Sequence, residues 1–189
     1  MRKYLICSLL FTFAMFIYGC GGSDAPVAEI NNKCLEGSPD WVFGNAEGGL
    51  NSVGAAKISK AGINFARTAA MANARDEMAR TIEVKTNNLL KDFTQVTGLG
   101  DTEVVDKVTA SVSKQVSSQT LSGTVQKALW QSPCNELYVL ISIDSGVIAE
   151  SVKNSVASSY KNDAALWQQF QAAKAQDELD AAIRAEFPK

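Results

Sequence analysis

Residues 61–96 hold the longest regular pattern in the chain. Ile63, Ala66, Ala70, Ala74, Met78, Ile82, Leu89 and Phe93 recur at spacings of three, four or seven. That is the period of an amphipathic helix, which needs a support for its apolar stripe. The early part of the stripe is alanine, and small side chains let a helix approach its support closely. Gly98 to Asp101 breaks the pattern, because glycine does not sustain a helix and Asp101 can cap the next one.

Around this helix the chain alternates between shorter signals. Ser38-Pro39-Asp40 reads as a turn, followed by apolar Trp41-Val42-Phe43, a loop over 44–49 and a short strand from Leu50 to Ile58 that Gly54 weakens. Residues 102–117 are ambiguous: Val104, Val105, Val108 and Val112 fit a helix, and valine tolerates a strand equally well. Residues 119–131 and 136–144 read as two strands joined by a turn at Ser132-Pro133-Cys134-Asn135. Leu137 to Ile143 is a continuous apolar run, as in a central buried strand. Asp144 caps a helix with Val147, Ile148, Val152 and Val156 on one side, and Asn162-Asp163 starts a final helix carrying Leu166, Trp167, Phe170, Leu179, Ile183 and Phe187.

The N-terminus has a different character. Arg2 and Lys3 precede an almost wholly apolar run from Tyr4 to Tyr18, and Gly19-Cys20-Gly21-Gly22 follows. The run is short of the ~20 apolar residues that span a bilayer, and it fits a secretory signal cut before a cysteine, as in bacterial lipoproteins. Lipid on Cys20 would hold the chain to a membrane, since each buried methylene contributes about 0.8 kcal/mol and two or more acyl chains anchor stably. Ile17, Tyr18 and Gly19 occupy the positions before the cut, with Tyr18 bulkier than usual there. Gly21 rather than Asp after the cysteine favours sorting to the outer membrane, with the domain on the periplasmic or surface face. Residues 1–19 are thus a signal peptide, 20–35 the lipidated cysteine and a flexible polar tether, 36–160 the folded domain, and 161–189 a C-terminal amphipathic helix.

Four cysteines divide accordingly: Cys7 leaves with the signal, Cys20 takes lipid, and Cys34 and Cys134 remain. In an oxidising periplasm the last two are expected to pair, with buried unpaired thiols as the alternative. The bond would close a loop of about 100 residues, worth about 4–5 kcal/mol in the chain-entropy model.

Removal of residues 1–19 takes two of the 18 basic residues and none of the 20 acidic ones, moving the net charge from −2 to −4. A mildly acidic chain is a poor partner for nucleic acid and has no polybasic grip on anionic lipid. The chain contains no histidine, which removes Ser-His-Asp and Cys-His catalysis, histidine-ligated metals and the usual neutral-pH base. No EF-hand spacing is present, and the GNAEGG loop at 44–49 lacks the GxGxxG spacing and lysine of a phosphate cradle. No catalytic, metal or cofactor residues are assigned, and the chain is expected not to be an enzyme.

Three segments together resemble a known family. Gly37-Ser38-Pro39-Asp40-Trp41-Val42 with Gly44 is similar to a G-x-P-D-W-V-x-G opening. Ala70, Ala72, Ala74, Arg75, Met78 and Ala79 resemble an A-x-A-x-A-R-x-x-L-A helix with Met78 in place of Leu. Tyr138-Val139-Leu140-Ile141 with Asp144 resembles a V-x-V-L-V-x-L-D strand and cap. The ordered set, over about residues 36–158, resembles the Lpp-twenty family of bacterial outer-membrane lipoproteins. The resemblance implies an α+β domain, a small sheet backed by a long helix as in dodecin or the SHS2 module, here with extra C-terminal helices. It implies no catalytic residues. One branch of the family supplies a lipoprotein of the flagellar basal disk, which would demand self-assembly.

Individual residues have modest readings. Trp41 is expected to plug one end of the core, because an indole buries a large apolar area, with a binding surface as the alternative. Arg75, with Asp76 and Glu77, is expected on a solvated helix face where it can pair a carboxylate, a catalytic cluster being the alternative. The final helix packs on its own sheet, or offers Trp167, Phe170, Leu179 and Ile183 to a neighbour. The function expected is an envelope structural or interaction lipoprotein, whose partners are the membrane and other envelope proteins or further copies of itself. The competing readings are the basal-disk component and a small-ligand binder using the cleft between helix and sheet.

Overall fold

A computed structural model of the chain describes residues 32–98, 102–162, 164–171 and 173–188. The signal segment, Cys20, most of the tether, and Asp101 with its expected capping role lie outside the described residues.

Two 3₁₀ turns, Asn32–Leu35 and Asp40–Phe43, open the described chain. Strand β1 (Leu50–Lys57) leads into helix α1 (Ile63–Thr97), which is followed by α2 (Thr102–Leu121). The hairpin β2 (Val125–Gln131) and β3 (Glu136–Ile143) comes next, and then α3 (Ser145–Lys161), α4 (Ala164–Phe170) and α5 (Ala173–Glu186). The class is α+β, mostly helical. The antiparallel sheet has the order β1-β3-β2, so the continuous apolar run is its central strand. Gly54 pairs with Val139 and Ser52 with Ile141 on one side, while Leu129 and Trp130 pair with Val139 and Tyr138 on the other.

The alanine stripe explains how β1 and α1 meet. A Cβ on Gly54 would fall on the carbonyl of Ala70, on the amide nitrogen of Ala74, and 2.9 Å from the Ala74 Cα. Strand and helix therefore touch backbone to backbone, which only Gly54 opposite Ala70 and Ala74 permits. Gly54, read as a weakness in the strand, is the residue that brings the helix close. Further along, Met78, Ile82, Leu89, Leu90 and Phe93 are buried. Ile63, the expected first member of the stripe, is instead 48% exposed, because it lies in the first turn of α1, ahead of Ala66 where burial begins.

The ambiguous segment is a helix. Val112 and Val116 are buried beside Thr109, Ser113, Ser117 and Thr120, one stripe at helical spacing. Its small polar groups meet α1 directly: Ser113 Oγ donates to Asn87 Oδ1 at 2.7 Å, and Ser117 Oγ to the Ala79 carbonyl at 3.2 Å. This seam carries the helix through residues 119–121, expected as the start of a strand, so β2 begins only at Val125.

Asp144 caps α3 as expected, its Oδ1 accepting from the Gly146 amide at 2.7 Å. Ile148, Val152 and Val156 point inward with Tyr160, but Val147 is 46% exposed, being about 100° around the helix from Ile148. The expected final helix is two helices, α4 and α5, separated at Gln171. Asn162 closes α3 rather than opening the next helix. From Lys33 onward the chain is one compact unit. Its core runs from the α1–sheet contact into the bundle formed by the rest of α1 with α2, α3, α4 and α5.

Candidate functional site

Side chains alternate across a strand, so the register fixes which residues face away from α1. They are Asn51, Val53 and Ala55 on β1, Tyr138, Leu140 and Ser142 on β3, and Val125, Ala128 and Trp130 on β2. The helices lie on the other side. A strap of chain from Leu35 to Gly49 borders this open face and is fixed at both ends. At one end Cys34 and Cys134 form a disulfide with Cα atoms 5.1 Å apart, tying the strap to the β2–β3 turn. At the other, Gly49 has φ +68° and sits against the Ile143 carbonyl, where a side chain has no room. Asn51 Nδ2 donates to the carbonyls of Gly48 at 3.0 Å and Ala46 at 3.3 Å, which holds the loop in place.

Between strap and sheet lies a half-open groove of about 1000 Å³. Leu140, Ser142, Val125 and Asn51 line its sheet side, Asp40, Trp41 and Glu47 its strap side, and Asp144 to Val147 close one end. Trp41 is half-buried and lies in a turn with no buried residue. It lines this groove on the open face of the sheet and is no plug of the core. Its expected role as a core plug is therefore corrected. Trp130 and Tyr138 stack on the same face with ring centroids 5.4 Å apart.

Trp41 is the one aromatic side chain lining the groove, and the rim is charged. Asp144 is engaged in capping α3, while Asp40, Glu47 and Lys127 form no ion pair among the described residues. The chain has no histidine, so no imidazole lines the groove. Among the described residues, no cluster of three or more His, Cys, Asp or Glu is placed to hold a metal ion. No helix of the described residues is long and apolar enough to cross a membrane.

Titration is perturbed at two tyrosines. Burial raises the Tyr138 pKa, helped by its hydroxyl donating to Glu136 Oε2 at 2.9 Å. Burial alone pushes Tyr160 up to about 12.

The other singled-out residues fall elsewhere. Arg75 is exposed, and its Nε donates to the Thr124 hydroxyl at 3.2 Å rather than pairing a carboxylate. Leu179 and Ile183 of α5 are buried against α1, not against the sheet. Phe170 is buried edge-on to Tyr160 at 5.2 Å, and Trp167 is half-buried under Lys161 Nζ at 5.1 Å. Lys85 to Glu186 at 2.9 Å and Lys153 to Asp180 at 2.7 Å lock α5 to α1 and α3. The groove itself escaped the sequence reading. Its one signal is Tyr138 and Leu140 on the face of β3 that the single amphipathic helix does not cover.

Residues 39–144 match the family model described as LPP20 lipoprotein. The match runs from the strap through the sheet, α1 and α2 to the α3 cap, and leaves α3, α4 and α5 beyond it. No curated protein and no solved structure matches the chain.

Proposed function

We infer function from one premise: this chain belongs to the LPP20 lipoprotein family. It is an outer-membrane lipoprotein held by lipid on Cys20, and its domain works as a structural or interaction module without enzymatic activity. The observation that carries this reading is the Cys34–Cys134 disulfide. Such bonds persist in oxidising, exported compartments, and this one closes the domain 14 residues after the candidate lipidation site. The absence of histidine from the whole chain supports a role that needs no proton transfer near neutral pH. The groove beside Trp41 is the seat for a partner.

Density-gradient separation of membranes from the native host tests this. The protein is expected in the outer-membrane fraction, and Cys20→Ala in the soluble or inner-membrane fraction. Wild-type protein in the soluble fraction would overturn the reading. A second reading, a small-ligand binder, is favoured by the groove volume of about 1000 Å³, which is in the range of ligand sites. A ligand screen by thermal shift, with Trp41→Ala as control, separates the two.

A further inference from the structure

The domain has two unlike ends. At one, the Ile58 amide donates to the Asn135 carbonyl at 2.8 Å, which places the 58–62 loop beside the turn holding the disulfide. Lys33, Lys57 and Lys60 are exposed here, and α1 begins here with Ile63 at 48% and Phe65 at 62% exposure. Among the described residues, Glu36 and Glu136 are the carboxylates on these segments; Glu136 lies opposite Lys57 in the β1–β3 register and already accepts the Tyr138 hydroxyl. Three lysines therefore stand against two carboxylates, a local positive end that the mature net charge of −4 conceals and an exception to the expectation that the chain has no basic grip on lipid. The groove beyond has the opposite balance: Asp40, Glu47 and Asp144 against Lys127.

We propose that this end is a membrane-docking surface, in which Ile63 and Phe65 enter the headgroup region of an anionic leaflet while Lys33, Lys57 and Lys60 lie against its phosphates. The proposal rests on the Cys20 anchor. The chain between Cys20 and Cys34 is 14 residues, a reach of at most about 50 Å, and it ends on this side of the domain at the disulfide. The tether therefore joins the domain at this end. Exposed aromatic and aliphatic tips flanked by lysines are the composition of interfacial surfaces. A lysine near an anionic leaflet contributes about fivefold to surface partition. Docked this way, the domain turns its acidic groove away from the leaflet, open to partners.

The test uses lipoprotein from the native host in vesicles of phosphatidylethanolamine and phosphatidylglycerol, part of the lipid brominated near the headgroup. Phe65→Trp is compared with Val96→Trp, which lies near the other end of α1 and is 64% exposed. Both positions are exposed, and circular dichroism checks that both variants fold. A docked side chain lies about 5–10 Å deep, so the indole at 65 is expected to lose at least about half of its added emission while the indole at 96 keeps its own. The pair Lys57→Gln and Lys60→Gln in the Phe65→Trp protein is expected to restore emission while the protein stays on the vesicles. Equal emission at 65 and 96, with acyl mass present on Cys20, overturns the docking and leaves the anchor standing. Lack of acyl mass overturns both.

Discussion

Replacing Gly54 by alanine tests how the sheet and the long helix are joined. The added methyl would fall on backbone atoms of Ala70 and Ala74, among them the Ala74 Cα at 2.9 Å. Neither partner is a side chain that can rotate away, so β1 and α1 must part, loosening the packing of Val139 and Ile141 beneath them. Overpacking of a core costs about 1–3 kcal/mol, occasionally more, and contact with backbone on both sides argues for the top of that range. In a domain of this size about 3 kcal/mol lowers Tm by roughly 6–12 °C. Urea and thermal unfolding followed by circular dichroism supply the measurement. Gly123→Ala is the control, since its nearest neighbour would be the Thr120 carbonyl at 3.4 Å, and it should shift stability by less than about 1 kcal/mol. If Gly54→Ala were as stable as Gly123→Ala, the close helix–strand contact would not be what joins the two layers.

Other consequences can be checked on the same protein. Thiol titration of the unfolded, unreduced domain should find no free thiol at Cys34 or Cys134. The Cys34→Ser, Cys134→Ser pair should lose about 4–5 kcal/mol in urea, the chain-entropy value for a separation of 100 residues. Ile183→Ala should cost about 2–5 kcal/mol, because Ile183 is 3% exposed and α5 is partnered within its own chain; an unchanged midpoint would mean that α5 is loosely held. Tyr160 has a folded pKa of about 12 against 10.0. The unfolded state therefore releases that proton first as pH rises. The contribution is fully present below pH 10 and is lost between about pH 10 and 12, by roughly 1.4 kcal/mol per unit. Tyr160→Phe should flatten that part of the alkaline slope in denaturation measured from pH 9 to 12.

Much of the fold was legible because local chemistry and tertiary packing agree. The alanine-led stripe of α1, the apolar run of β3, the Asp144 cap and the turn at Ser132–Asn135 each follow from a few neighbouring residues. The failures have a common cause, which is that distant partners decide them. Residues 119–121 stay helical because Thr120 is buried on the same stripe as Val112 and Val116, and Gln119 accepts from Ser151 of α3. The final helix divides into α4 and α5, with Phe170 packed on Tyr160 and Ile183 against α1. The size of Trp41 points to the core, whereas the Asp40–Phe43 turn sets it in the groove on the open face of the sheet. The groove was hidden for the same reason. It is assembled from a strap, residues of all three strands and a helix start, and becomes visible only once the open sheet face is known.

The proposed role stands or falls with lipid on Cys20 fixing this domain to a membrane. Intact-mass spectrometry of the protein purified from its native host reads that modification. The expected species is a chain that begins at Cys20 and carries the added mass of two or three acyl chains on that residue. A chain with an unmodified Cys20, or one that retains residues 1–19, would contradict it.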